Sequence, residues 1–133
     1  MDVFTVQPED VDTHWKWVRM FLYDVEKMAP GWTAEEVRKS LKRAESQLWV
    51  VREIEPTGIV VTRLGNVGPT KSGLVWIASG SALEEGLDMF RSYIEPWFRQ
   101  QGCKLIEIVG RKGWKRVLPD YQEAGTWFVK EIA

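Results

Sequence analysis

Residues Gly73–Trp114 read GLVWIASGSALEEGLDMFRSYIEPWFRQQGCKLIEIVGRKGW, and the hydrophobic periodicity changes along them. Leu74 to Ala78 is a continuous apolar run, long enough for a buried strand and too short for a helix. Ser79-Gly80-Ser81 breaks it. From Ala82 to Gln101 the residues Leu83, Leu87, Phe90, Ile94 and Trp97 recur at helical spacing. Gly102 stops that pattern, and Lys104 to Val109 reads as a second strand. A strand, a long helix and a second strand form a βαβ unit, whose strands run parallel. Pro96 falls within the helix, where it removes a backbone donor, and predicts a kink or two helical pieces.

Upstream, Asp2 to Gln7 reads as a short strand. Pro8, Glu9 and Asp10 suit a helix start, because proline needs no donor there and acidic groups favour the positive end of the dipole. Val11, Trp15, Val18, Leu22 and Val25 then trace one face of a helix, which Ala29-Pro30-Gly31 ends. Thr33 with Glu36 is a capping-box pattern opening a second helix, with Val37, Leu41 and Ala44 on its buried side. Three strand-like runs follow: Leu48–Ile54, Ile59–Leu64 and Leu74–Ala78. Glu55-Pro56-Thr57-Gly58 joins the first two, and Gly65–Gly73 reads as a loop or loose hairpin. Short links favour antiparallel neighbours. Downstream of the crossover, Gly110–Tyr121 holds a short helix and Thr126–Ile132 a closing strand.

The chain of 133 residues is one domain, long enough to bury a core. Its net charge of −1 gives no global attraction to nucleic acid or acidic membranes. No apolar run is long enough to span a bilayer, and Met1-Asp2-Val3-Phe4 lacks the basic, then apolar, start of a signal peptide. Cys103, the single cysteine, excludes an intramolecular disulfide and a cysteine zinc cluster, and a reducing, cytoplasmic setting is expected. His14 has no second histidine or cysteine beside it, so a metal site is not expected. The eight tryptophans sit mostly in apolar runs and read as core.

The order strand, two helices, three strands, helix, strand, short helix, strand predicts an α/β domain. Its sheet is mixed and mostly antiparallel, with one parallel βαβ crossover and helices on both faces. This order resembles the GNAT acyltransferase superfamily over nearly the whole chain. Phe98-Arg99-Gln100-Gln101-Gly102-Cys103-Lys104-Leu105-Ile106-Glu107-Ile108 looks like that family's central helix turning through glycine into its fifth strand. Trp114, Val117, Tyr121 and Gly125 share the spacing of its later motif and match it in type at Tyr121 and Gly125. The run Ile108–Tyr121 is also similar to short GNAT-like proteins of tailed bacteriophages.

The resemblance implies an acetyl-CoA-dependent N-acyltransferase with an amine acceptor. Ser79, Gly80, Ser81, Ala82 and Gly86 would surround the pyrophosphate, and Arg111 and Lys112 would lie beside the cofactor cleft. Tyr121 would be the acid for the leaving thiolate and Glu107 a candidate base. The residues themselves leave an alternative open. Ser81 and Glu84 form a capping box, so Glu84 and Glu85 satisfy the helix start from within. Two carboxylates about 5 Å from a pyrophosphate would cost on the order of 1 kcal/mol each in water. The alternative is a GNAT-shaped phage virion or host-interaction protein without catalysis, acting through its surface. Arg111-Lys112-Gly113-Trp114-Lys115-Arg116 is then a patch for an acidic partner, or a solvated turn.

Overall fold

The computed structural model describes residues 2–28, 31–80, 90–108, 119–122 and 130. β1 (Asp2–Val6) leads through a 3-10 turn with Pro8 at its first position into α1 (Val11–Met28). Val11, Trp15, Val18 and Leu22 are buried along one stripe of α1, and Val25 packs at its margin. α2 (Ala34–Lys42) starts where expected: Thr33 Oγ1 accepts from the Glu36 amide at 3.2 Å. Glu26 Oε2 of α1 accepts from the Ala34 amide at 3.0 Å, so the first helix also satisfies the start of the second. Ala44 departs from the expected buried face. The helix ends at Lys42, and Ala44 is exposed with a φ of 60° in the turn beyond it.

β2 (Gln47–Arg52), β3 (Pro56–Val67) and β4 (Thr70–Gly80) continue the antiparallel sheet, and β5 (Leu105–Ile108) adds to it in parallel. The strand order is β1-β2-β3-β4-β5. β3 and β4 are far longer than their apolar runs, and the expected loop at Gly65–Gly73 is instead mostly paired strand. Val67 pairs with Thr70, leaving Gly68-Pro69 as a two-residue turn. Gly68 has a φ of 58°, the positive value such a turn needs at its first central position, and Pro69 suits the second. Leu64 and Val67 near this tip are exposed, so no burial pattern marks the strands there.

The sheet separates two clusters. Under α1 and α2 lie Val6, Leu48, Val50, Ile59, Val61 and Ile77. On the opposite face Trp49, Val51, Val60 and Val75 pack against Ile94 and Phe98 of the crossover. The described part of the crossover is two pieces, a π-helical turn (Phe90–Ile94) and α3 (Glu95–Gln100). The two are contiguous, Ile94 staying in the helical region, and the change of hydrogen-bond pattern falls just before Pro96, in the first turn of α3, where a missing donor is tolerated. Of the helix expected from Ala82, residues 82–89 lie outside the described residues, as do residues 110–118 of the segment expected to hold a short helix and most of the closing strand; Pro119, Asp120 and Tyr121 are turn and bend.

The Phe98 ring lies directly on the backbone of Gly73, where a Cβ would be far inside van der Waals contact with the ring. Gly73→Ala is therefore expected to cost about 1–3 kcal/mol, the usual range for overpacking. Chemical denaturation of the variant, alone and combined with Phe98→Leu, checks this. An alanine that is neutral on its own, or no recovery in the double variant, would contradict it.

Candidate functional site at the parallel edge

β4 carries a bulge. Val61 pairs with Ile77 and Thr62 with Val75, so Trp76 is the extra residue. The bulge places Trp76 and Ile77 together on the α1/α2 face, while Gly73, Val75 and Ala78 meet the α3 cluster. β5 pairs with β4 over Ser72–Val75, and among the described residues β4 alone continues to Gly80. The carboxyl ends of parallel strands are where open α/β sheets usually hold ligands, because helices and loops leave the backbone accessible there.

Ser79 and Gly80 lie at this end, as β4 residues paired with Ile59 and Gly58 and not as a free loop. Gly80 has a φ of 146°, and a Cβ there would come within 2.5 Å of Thr57 O and Gly58 Cα. A larger residue at Gly80 would thus disturb the β3–β4 ladder before it disturbed any ligand. Ser81, Ala82, Gly86, Arg111 and Lys112 lie outside the described residues, as do Glu84 and Glu85.

Glu107 and Tyr121 fall on opposite faces. Ile106 and Ile108 pack into the α3 cluster, which turns Glu107 to the α1/α2 side. There it is exposed and accepts from Ser72 Oγ at 3.2 Å. Tyr121 packs against the α3 cluster, and its Oη donates to Glu95 Oε1 at 2.7 Å. Burial, then the Glu95 hydrogen bond and charge, hold the phenol's pKa well above its ordinary value. Arg91 pairs with Asp120 beside it at 3.4 Å. Glu95 had no sequence signal, being 26 residues from Tyr121. A second feature without a local signal is the cluster at the bulge. Trp32, from the α1–α2 connection, meets Trp76 edge-on with ring centroids 6.2 Å apart, and the Arg63 guanidinium lies 4.5 Å from the Trp76 ring centre.

Another surface depression is lined by Asp2, Val3, Phe4, Arg52 and Tyr93, on the β1 side of the sheet. Its charges answer one another: Arg52 pairs with Asp2 at 3.2 Å and covers the Phe4 ring. No helix among the described residues is long and apolar enough to cross a membrane.

No family model and no curated protein matches the sequence. Solved structures do match the fold. A probable acetyltransferase superposes with a TM-score of 0.74 at 9% identity, covering 100% of this chain and 99% of its own. An aminoglycoside acetyltransferase from an uncultured soil metagenomic sample gives 0.71 at 12% identity, covering 99% and 96%. A predicted acetyltransferase from Clostridium acetobutylicum, solved with acetyl-CoA, gives 0.66 at 12% identity, covering 98% and 95%. The chain is a single α/β domain with the GNAT fold.

Tyr121 ties this region to stability at high pH. In the unfolded chain its phenol titrates near 10.0, and in the folded chain it titrates higher. Its stabilising contribution is full below pH 10 and is lost as pH rises from there through the folded value, because the unfolded state then binds fewer protons. Tyr121→Phe is expected to flatten the alkaline fall in stability. Equal falls for both proteins, in denaturation from pH 8 to 11, would contradict the assignment.

Proposed function

We propose that this protein is an acetyl-CoA-dependent N-acyltransferase acting on an amine. The arrangement of β4 and β5 carries the reading: a single parallel pair among the described strands, with β4 running on to Gly80 beyond the paired segment. The fold it shares with acetyltransferases supports it. The residues present suit the cofactor in one respect. Among the described residues the outer edge of β4 from Trp76 to Gly80 is unpaired and offers backbone donors and acceptors to an extended amide-bearing arm, as an added strand would use them. When bound, acetyl-CoA supplies an acyl carbon activated as a thioester, and transfer forms the N–C bond as the C–S bond breaks.

The chain's part is to place and move protons. Glu107, exposed on the α1/α2 face, takes the proton that the attacking amine gives up. Tyr121 serves from the α3 face, opposite Glu107. Its phenol stays protonated at neutral pH. Complete proton transfer from an ordinary phenol to an ordinary thiolate, about 1.5 pKa units apart, is already uphill by about 2 kcal/mol. The raised pKa of Tyr121 increases that cost, so its role is to donate a hydrogen bond from Oη once Glu95 releases it.

Glu84 and Glu85 favour a second reading in which the fold is kept without catalysis and acts through its surface. Calorimetric titration with acetyl-CoA separates the two. The enzyme reading expects a dissociation constant at or below the millimolar range, acyl transfer to amines, and a loss of about 10²–10⁴-fold in kcat for Glu107→Gln. Absence of heat at millimolar acetyl-CoA would overturn the enzyme reading.

A further inference from the structure

Across the sheet on the α1/α2 face, Arg63 pairs with Leu74 and Leu74 pairs with Glu107. The three side chains therefore form one row, with a cation at one end, an apolar floor in the middle and a carboxylate at the other. Neighbouring strands are about 4.8 Å apart, so the two charged residues stand about 10 Å apart at their backbones. The exposed Glu107 side chain can extend over Leu74 toward the Arg63 side. Trp76 follows Leu74 toward the carboxyl end of β4 on the same face, and Trp32 meets it edge-on.

The charges at the two ends have no ionic partners among the described residues. The Arg63 guanidinium is held 4.5 Å from the centre of the Trp76 ring, which fixes it without neutralising it. Among the described residues Glu107 receives only the Ser72 hydroxyl, which occupies part of one oxygen's accepting capacity and leaves the charge in place. Both tryptophans are half-buried, so each keeps an accessible part. A cation seated on an aromatic surface, with an exposed anion across Leu74 from it, is complementary to a zwitterion bearing an apolar group.

We infer that the acceptor is a free α-amino acid with a large apolar side chain. Its carboxylate lies on Arg63, its amine on Glu107 and its side chain against Trp32 and Trp76. This rests on the proposed acyl transfer for what happens to the amine, whereas binding at the row stands separately. It also makes a distinction: a polyhydroxylated polycation has neither the carboxylate for Arg63 nor the apolar group for the tryptophans.

Calorimetry with L-phenylalanine, phenethylamine and 3-phenylpropionate tests this, with and without coenzyme A. L-Phenylalanine is expected to bind about tenfold or more tightly than either analogue, each of which lacks one charged contact. Arg63→Gln should abolish its advantage over phenethylamine, and Arg63→Lys should keep part of it. Glu107→Gln should abolish its advantage over 3-phenylpropionate. Thermal unfolding of each variant establishes that it is folded. Equal affinities for the three probes, ratios unchanged in the variants, or no binding of L-phenylalanine in either condition would overturn the inference. Binding of L-phenylalanine without any binding of acetyl-CoA would sustain it and refute the transferase. Binding of acetyl-CoA without L-phenylalanine would do the reverse.

Discussion

The packing of Phe98 onto the bare backbone of Gly73 sets how closely the crossover helix lies on the sheet. Several contacts just beyond it depend on that approach. The Cys103 amide donates to Phe98 O at 3.0 Å, closing the helix end, and Gly102 takes a φ of 85° to turn the chain. The Lys104 amide then donates to Lys71 O at 2.9 Å, and Lys71 Nζ donates to Gln101 O. These bonds lock the start of β5 beside the start of β4 and lead into the pairing of Ser72 with Leu105. A side chain at position 73 would lift the helix and loosen this register. Everything at the carboxyl ends of the two strands is placed relative to that join.

The bulge at Trp76 is the second determinant. A regular strand would send Trp76 and Ile77 to opposite faces. With one extra residue both face α1 and α2, so the core keeps Ile77 while Trp76 reaches Trp32 and Arg63. The same sheet thus presents different chemistry on its two sides near the parallel pair. One side has Glu107, Arg63 and aromatic surface. The other has Tyr121, held by Glu95 beside the Arg91–Asp120 pair.

The fold shared with acetyltransferases does not by itself determine chemistry, because a scaffold hosts whatever its side chains supply. Here the hydrogen bond from Tyr121 to Glu95 matters most. Burial and this bond both raise the pKa of the phenol, and the bond occupies its donor, so any donation by Tyr121 to a ligand would first require its release from Glu95. The α1/α2 face is different. Its charged groups are exposed or half-exposed and already held in place, by a ring in one case and a hydroxyl in the other.

Much of the scaffold was legible in the sequence because its causes are local. The stripe Val11, Trp15, Val18, Leu22 specifies the buried face of α1 by spacing alone. Thr33 caps α2 through an amide three residues away, and the crossover changes its hydrogen-bond pattern just before Pro96, which lacks a donor. The alternation of Ile106, Glu107 and Ile108 was enough to put Glu107 on the face opposite its neighbours. The full length of β3 and β4 was hidden, because their exposed ends need no apolar pattern and their pairing depends on one two-residue turn. The bulge, the partnership of Tyr121 with Glu95, and the meeting of Trp32, Arg63 and Trp76 were decided only in three dimensions. They join residues from separate elements, and chain folding, not periodicity, determines which of them touch.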